Sequence, residues 1–540
     1  LSCSQGTMRL RLIWAYSSAS VAACIVLAVA LSMGDSEPAE FLSEIPSMLA
    51  ANATSPAGGK AIIQSPTGQP CTNSFQCFIK LVCRDGVCQQ CQKSSECGAV
   101  NEKNTCQEVK KKGHILHACL HKNLFPNFDV SDVIIFIITL LATAMSAPAG
   151  TGGGGVLVPM YILVGQFSPH GAIPLSKATI FGGAIANNFF NLQRRHPRAD
   201  RPLIDFRTTV LLEPALLLGT VLGVFFNALS PSWLITALLV VTLSFVTYRT
   251  ILKGISTYKV EHDEALLHEQ ATDAKESSDI QAGERTPLVK KEPEDPADLE
   301  EMEEIVRREA RAVYWDDVGL VTCCWLFIAA ASFLKGGEGA SGVAECGSVL
   351  YWFIVVLPFP VVTAFTYWQG KRLCADTERK RQLGFKFLEG DMVWDPSNVL
   401  KYPGYCFFAG FCAGGLGIAA GTVLAPIMLE LGVMPVVATA TSGFTVLFTA
   451  SSTTMQFVVL GQLKLDYACF FALTGMLGAG FGNTFVNWLV KKYGKTYFII
   501  FMLAIIIGGS VILMAAVGVM AQIAAVEHGK GWGFRPLCVK

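Results

Sequence analysis

The stretch SAPAGTGGGGVLVPMYILVG, Ser146 to Gly165, places four consecutive glycines between two apolar runs. Inside a helix, a glycine costs roughly 1 kcal/mol relative to alanine. Within a bilayer, a broken helix also frees backbone N–H and C=O groups that lipid cannot satisfy. A glycine run is therefore expected here only if the bare backbone serves close helix packing or a binding site.

The composition of the chain is typical of an integral membrane protein. Of the 540 residues, 52% are hydrophobic and only 16% are charged, with a mean hydropathy of +0.45. A soluble domain carries about 25% charged residues. The formal net charge is zero, which favours no nucleic-acid partner. The apolar segments contain no metal-ligand spacing, P-loop or nucleophile elbow, so the sequence predicts no enzyme, no metal and no cofactor.

The N-terminal part has the pattern of a secreted module. Two arginines follow Met8 and precede an apolar run, so residues 8–34 are predicted to be a signal peptide. Residues 35–128 contain a glycosylation sequon at Asn52 and no spanning run. An uncleaved signal anchor is the alternative, and it too places this module outside the cytosol.

Eight cysteines are concentrated in the second half of this module: Cys71, Cys77, Cys83, Cys88, Cys91, Cys97, Cys106 and Cys119. An even number of closely spaced cysteines after a signal peptide predicts disulfides, although the sequence does not select their pairing. Zinc is the alternative for the C-x2-C pair Cys88 and Cys91, but the oxidising compartment favours disulfides. The module is either a stabilising outer cap or a domain for an unknown protein partner. Two further cysteines, Cys346 and Cys538, are predicted to pair with each other; free thiols or pairing with the Cys-rich module are the alternatives.

Beyond residue 130 the chain consists of twelve apolar segments with two polar interruptions. The segments are 131–148, 155–167, 173–191, 208–227, 232–252, 317–335, 347–368, 402–418, 421–432, 435–460, 466–489 and 495–520. The first five match the last five in order. AGTGGGGVLVP around Pro159 matches LGIAAGTVLAP around Pro426, and Ser176 aligns with Thr441. This duplication is typical of secondary transporters.

Basic loops predict that the two halves have opposite orientations. The loop NLQRRHPRADRPLIDFR follows the third segment of the first half, whereas KKYGK follows the fourth segment of the second half. Because cytoplasmic loops carry an excess of Lys and Arg, the basic side switches between the halves. The predicted fold is an all-α polytopic membrane protein with two inverted repeats of transmembrane helices, each with Gly-broken segments. A small disulfide-rich extracytoplasmic N-terminal module precedes them.

These patterns divide the chain into eight predicted parts. They are the signal peptide 8–34, the Cys-rich module 35–128, transmembrane repeat one 129–255, a cytoplasmic loop 256–316, a central transmembrane hairpin 317–368, a second cytoplasmic loop 369–401, transmembrane repeat two 402–525 and a C-terminal tail 526–540.

Short, glycine-interrupted segments at matching places in two inverted halves indicate the binding site of a transporter. The runs 155–167 and 421–432 are both too short to cross a hydrocarbon core of about 30 Å. A helix that begins inside the membrane points its N–H groups and its positive dipole end at a ligand, which suits an anion. The predicted substrate-binding residues are Gly152, Gly153, Gly154, Gly155, Ser176, Lys177, Gly417, Gly421, Thr441 and Ser442. Close helix packing is the alternative explanation for the glycines.

Two ionisable residues interrupt the apolar runs. Lys177 is a candidate ligand for the anion, and a lysine that snorkels to the interface is the alternative. Glu213, in LLEPALLLG, is a candidate for proton coupling.

The sequence resembles the sulfite exporter TauE/SafE family, most of all its plant and protist members. The resemblance rests on AGTGGGGVLVPMYILVG, AIPLSKATIFGGAIAN, RPLIDF and LLEP in the first half, and on GLGIAAGTVLAPIMLELGV and ATATSGF in the second. It implies a polytopic carrier of sulfite, sulfonates or related sulfur-containing anions. The Cys-rich module and the long loop 253–316 depart from the compact bacterial pattern, which allows a role in an internal compartment.

The sequence therefore predicts a secondary transporter of a small anion in contact with membrane lipid. It is a multi-pass protein of the plasma membrane or of an endomembrane of the vacuolar or lysosomal type. A multi-pass receptor or sensor, whose outer module binds a ligand, is the alternative. The duplicated glycine breaks favour transport, because a receptor does not need them.

Overall fold

In the computed structural model the described residues are 74, 81–97, 103–111, 114–125, 127–275, 296–337, 342–385, 387, 390–493, 501, 504–505, 507–516 and 518–519. All of them belong to one unit, Pro66–Lys540. The predicted signal peptide, the sequon at Asn52, Cys71, Cys77 and Cys538 lie outside the described residues.

The described part of the Cys-rich module contains two antiparallel hairpins and one helical turn. The first hairpin joins β1 (Val82–Arg84) to β2 (Val87–Gln89), and the second joins β3 (Asn104–Lys111) to β4 (His114–His121). The turn α1 (Ser94–Cys97) lies between the two hairpins in the chain. So small a module has little apolar core, and covalent bridges are the usual compensation.

Disulfides are present where the sequence predicts them. Cys91 bonds to Cys106 and Cys97 to Cys119. Cys83 and Cys88 are also disulfide-bonded, so both members of the C-x2-C pair are oxidised rather than free to hold zinc. Cys346 is disulfide-bonded as well; its pairing with Cys538 stays a prediction.

The described residues of the membrane part form helices joined by short breaks and loops. Its helices are α2 (Val130–Ser146), α3 (Gly154–Leu163), α4 (Pro169–Asn191), α5 (Phe206–Leu229), α6 (Ser232–Lys275), α7 (Pro296–Glu309), α8 (Trp315–Lys335), α9 (Val349–Val356), α10 (Pro358–Gln382), α11 (Asn398–Leu416), α12 (Gly421–Glu430), α13 (Pro435–Val459), α14 (Leu465–Tyr493) and the apolar helix α15 (Ile507–Ala516).

Five helical stretches are long and apolar enough to cross a membrane by length and composition. They are Phe206–Leu229, Ser232–Ser256, Trp315–Lys335, Val349–Gln382 and Leu465–Phe485. The helices α2, α3, α12 and α15 are apolar but shorter. The chain is therefore a multi-pass membrane protein.

Two helices continue beyond the predicted apolar segments. Helix α6 extends to Lys275, although its apolar run ends near residue 252. Helix α10 extends to Gln382, past the predicted end at 368. Both extensions are polar and rich in good helix formers such as Glu, Lys, Arg and Ala, which sustain a helix after hydrophobicity has ended.

The two halves of the membrane part interlock. Helix α5 of the first half packs against α11 and α13 of the second, and α14 of the second half packs against α2 and α4 of the first. Glycines allow the helices to approach closely. A Cβ on Gly414 would lie 2.5 Å from Thr220 O, and one on Gly478 would lie 2.7 Å from Leu140 O. Small residues at such contacts are typical of helix packing in membranes.

The Cys-rich module is anchored on the start of α14 and on Lys464, which precedes it. Leu124 N donates to Asp466 Oδ2 at 2.8 Å, and the Leu124 side chain is fully buried. Lys464 Nζ donates to His121 O and to Asn123 Oδ1. The ring of His121 lies over Phe167, with 3.9 Å between centroids.

Candidate anion-binding site

Two breaks in the helices meet inside the membrane part. The first break, residues 147–153, separates α2 from α3, and the second break, residues 417–420, separates α11 from α12. Gly153 (φ +77°) and Gly417 (φ +76°) adopt left-handed conformations that favour glycine at these two positions. The glycine runs therefore end one helix and begin another, as the sequence predicts.

The contacts between the two breaks are reciprocal. A Cβ on Gly154, the first residue of α3, would lie 2.7 Å from Gly417 O and 2.8 Å from Ala419 N. A Cβ on Gly421, the first residue of α12, would contact Gly150 O. The N-terminal end of each short helix thus lies against the break of the other half.

Eight backbone amides at this meeting point have no acceptor among the described residues. They belong to Gly152–Gly155 before and within α3 and to residues 418–421 before and within α12. The first N–H groups of any helix lack intrahelical partners, and capping side chains or ligands normally satisfy them. Neither helix has a side-chain cap. Two positive helix ends with free donors therefore face a common region.

Lys177 places an amine beside the second break, where a bound anion would favour its charged form. Its side chain is 2% exposed, and Nζ donates to Ile418 O at 2.8 Å. No described carboxylate forms an ion pair with it. Lys177 is therefore buried against the break, which differs from a lysine that snorkels to the interface.

Two serines connect each half to the opposite break. Ser176 Oγ donates to Gly417 O at 3.3 Å, and Ser442 Oγ donates to Gly150 O at 3.4 Å. Thr441 has a different partner, because its Oγ1 accepts from Asp205 N at 2.9 Å. The structural counterpart of Ser176 is thus Ser442, one residue beyond the aligned Thr441.

Two of the predicted site residues point elsewhere. A Cβ on Gly155 would face Leu243 Cδ2 at 3.4 Å and Ile507 Cδ1 at 3.6 Å, away from the second break. Glu213 is fully buried in α5, and neither carboxyl oxygen has a hydrogen-bond partner. The other predicted residues lie at the two breaks or beside them.

A small cavity lies next to the first break. Its volume is about 20 Å³, and its lining includes Thr143, Ser146, Gly150, Gly152, Asn187 and Gly443. Such a volume holds about one water molecule. Asn187 Oδ1 accepts from Asn483 Nδ2 at 3.2 Å and from Asn191 Nδ2 at 3.4 Å. The sequence analysis did not assign these amides to the site, because no spacing rule relates α4 to α14.

A larger cavity of about 100 Å³ lies beside the loop 192–205. Charged side chains from separate elements are paired around it: Arg201 with Asp391, Arg207 with Asp376, and Lys380 with Glu309. Burial, together with the nearby Arg201, lowers the pKa of His196 to about 4, so this imidazole is neutral at physiological pH. Asp205 also lines the cavity and connects it, through Thr441, to α13.

Comparison with known proteins identifies the family. The family model described as "Sulfite exporter TauE/SafE" matches residues 135–288 and 310–521, which include both breaks. The chain belongs to the TauE/SafE family. Among curated TauE/SafE relatives from Arabidopsis thaliana, "Sulfite exporter TauE/SafE family protein 3" is 29% identical over 428 residues, which cover 77% of this chain and 85% of the relative. "Sulfite exporter TauE/SafE family protein 5" is 29% identical over 453 residues, covering 81% of this chain and 96% of the relative.

No solved structure matches the chain significantly. The TauE/SafE family is a family of membrane transporters, in agreement with the apolar helices and with the transport function that the sequence predicts. The Cys-rich module begins before the matched residues, so family membership describes the membrane part alone.

Proposed function

We propose that this TauE/SafE protein is a secondary transporter that moves a small sulfur-containing anion, such as sulfite or a sulfonate, across a membrane. The observation that carries the proposal is the meeting of two helix N-termini, with eight free amides, beside the buried cation Lys177. All of these groups attract negative charge, and no described carboxylate neutralises them. The names of the Arabidopsis relatives support sulfite as the first anion to test.

The proposed site uses backbone donors, which explains the glycines. An oxyanion has several oxygens that accept hydrogen bonds at once, and consecutive N–H groups at a helix start provide convergent donors. A side chain at Gly154 would occupy the space between the breaks. Lys177 supplies the charge, and Ser176 and Ser442 hold the two breaks together through their carbonyl acceptors.

The proposed architecture is a pair of inverted repeats, residues 129–255 and 402–525. Three observations support it: the interlocked helices α5 and α14, the reciprocal contacts of Gly154 and Gly421, and the reciprocal bonds of Ser176 and Ser442. A transporter built in this way exposes a central site to each side in turn when the halves rock against each other. The cavity beside the first break holds about one water, so the halves must separate before an anion enters. No observation favours the receptor alternative.

Uptake into proteoliposomes tests the proposal. Purified full-length protein is reconstituted, and the initial uptake of radiolabelled sulfite is measured against concentration, with unlabelled sulfate and taurine as competitors. Saturable uptake above that of protein-free liposomes is the expected result. The inhibition of sulfite uptake by sulfate and by taurine then shows whether the protein prefers oxyanions or sulfonates. If none of the three anions shows saturable uptake or competition in either direction of the gradient, the proposed function is wrong.

A further inference from the structure

Glu213 is a buried acid that the anion site does not use. Its side chain is fully buried in the span Phe206–Leu229, and neither Oε1 nor Oε2 has a hydrogen-bond partner in the described part of the chain. An ionised carboxylate without a partner is very unfavourable in a protein interior, and more so within a bilayer. The carboxyl group therefore carries a proton in this conformation. Intramembrane ionisable groups of this kind commonly take part in transport.

Among the described residues, the surroundings of Glu213 contain no cationic side chain that could replace the proton. The titratable groups that interact with its charge are two thiols, Cys324 on α8 and Cys406 on α11. No described lysine, arginine, histidine or second acid does so from these helices or from α10 and α13, which also pack against α5. A sodium ion needs several oxygen ligands, and the described residues place no cluster of acids around Glu213. The proton is the cation that suits a single carboxyl group.

We infer that Glu213 binds the proton with which the anion is co-transported. The inference rests on the proposed anion transport. With an anion beside Lys177 and a neutral Glu213, the buried charges sum to zero, so the loaded carrier can rearrange without net charge in its core. With an ionised Glu213, the loaded core has an extra negative charge. Anion binding therefore strengthens proton binding at Glu213, and proton binding strengthens anion binding by the same factor.

The place of Glu213 in the fold agrees with this role. Pro214 follows it within α5 and lacks an N–H, so one backbone carbonyl in the preceding turn has no helical donor. Helix α5 also joins the two halves, because it packs against α11 and α13. A movement of one half against the other must change the environment of this helix. The proton enters and leaves the carboxyl group when that movement admits water.

Gradient-driven transport by Glu213→Gln tests the inference. Glutamine has the shape of the neutral acid but cannot release a proton. For one proton per anion, an inward gradient of one pH unit raises equilibrium accumulation in the wild type about tenfold. We expect Glu213→Gln to show an accumulation ratio of about one, while its exchange of labelled for unlabelled anion stays within about twofold of wild type. Because sulfite itself exchanges protons near neutral pH, all variants are compared under the same gradient.

Two further variants serve as controls. Glu430→Gln removes an exposed carboxylate that pairs with Arg249, and it should behave as wild type. Glu213→Asp keeps a titratable group and should recover part of the coupling. A second measurement uses the detergent-solubilised wild type: adding anion in weak buffer should cause proton uptake in excess of that by the anion itself. Where Glu213→Gln folds, it should abolish this excess.

Each outcome decides the inference. Gradient-driven accumulation by Glu213→Gln at the wild-type level would overturn it, as would accumulation driven by sodium instead of protons. Loss of both exchange and accumulation in folded Glu213→Gln also contradicts it, because the carboxyl would then be needed for movement itself. If Glu213→Gln does not fold, Glu213→Asp and the proton uptake of the wild type decide. Absence of any transport by the wild type removes the proposed function, and the inference with it.

Discussion

At the scale of single residues, the two breaks combine unpaired backbone donors with a buried lysine that no described acid pairs. Lys177 donates one hydrogen bond to Ile418 O and is 2% exposed, in a region where no described acid pairs with it. A buried ammonium without a counter-charge is costly. A transient anion would relieve this cost, which gives Lys177 a function that a snorkelling lysine lacks.

Lys177→Gln should weaken sulfite binding. A hydrogen bond to a charged group contributes about 1.5–3 kcal/mol, so the half-saturating concentration should rise about tenfold or more. Lys401→Gln is the matched control, because Lys401 lies at the exposed start of α11 over Tyr402 and Tyr405. The measurement is initial sulfite uptake against concentration, normalised to folded protein. Equal saturation of Lys177→Gln and wild type would remove Lys177 from the site.

At the residue scale, the register of the second half could not be predicted from the sequence. The repeat alignment pairs Ser176 with Thr441, but the structure gives the equivalent bond to Ser442. A slip of one position on a helix turns a side chain by about 100°. Small deletions between the repeats shift the alignment by one position. Because Thr and Ser both carry a hydroxyl, residue type alone does not reveal this shift. The residue types at the two breaks were predictable, whereas their register was not.

At the scale of elements, the short helices were the most predictable feature. Helices α3 and α12 have ten residues each and follow the predicted breaks. Glycine content and the length of apolar runs are local properties, so the sequence alone reveals them. The anchoring of the Cys-rich module was not predictable, because Leu124 and Asp466 meet across 342 positions of the chain.

The anchored module should lose stability in mild acid because of His121. Burial, with Lys464 and Lys122 nearby, lowers the pKa of His121 from 6.5 to about 3. The anchored state therefore prefers the neutral imidazole, while the unfolded or detached module protonates near pH 6.5. As the pH falls from 6.5 towards 3, protonation favours the detached module, and the stability of the anchored state decreases.

Hydrogen exchange measures this effect directly. Amides of strand β4 should exchange faster at pH 5 than at pH 7.5, after correction for the intrinsic rate. His121→Phe keeps an aromatic ring over Phe167 and should reduce the difference between the two pH values. If the wild type and His121→Phe show the same dependence on pH, another group is responsible.

At the scale of the whole molecule, the account depends on two halves with opposite orientations. The loop 192–205 borders the charged cavity, whereas the loop before α14 contacts the Cys-rich module. In the predicted topology the first loop is cytoplasmic and the second is not. The interlocked packing of α5 and α14 is the arrangement expected of such halves.

Single cysteines at Ala199 and Gln462 should therefore react from opposite sides of the membrane. Both positions are half-buried, so their intrinsic accessibility is similar. Sealed vesicles are treated with an impermeant thiol reagent before and after permeabilisation. The parent protein, without the added cysteine, measures the labelling of the native cysteines. Labelling of both positions from the same side would exclude the inverted arrangement.

If the anion binds where the two breaks meet, a side chain at Gly154 should disturb its binding and one at Gly155 should not. In Gly154→Ala, the new Cβ would lie 2.7 Å from Gly417 O and 2.8 Å from Ala419 N, both backbone atoms. In the adjacent Gly155→Ala, the nearest atom would be a Leu243 methyl at 3.4 Å, which is an ordinary contact.

The measurement is the half-saturating concentration for sulfite uptake in proteoliposomes, normalised to the folded fraction of each variant. The account predicts that Gly154→Ala raises this concentration about tenfold or abolishes uptake, while Gly155→Ala remains within about twofold of wild type. If folded Gly154→Ala takes up sulfite with wild-type affinity, the meeting point is a packing contact and the anion binds elsewhere.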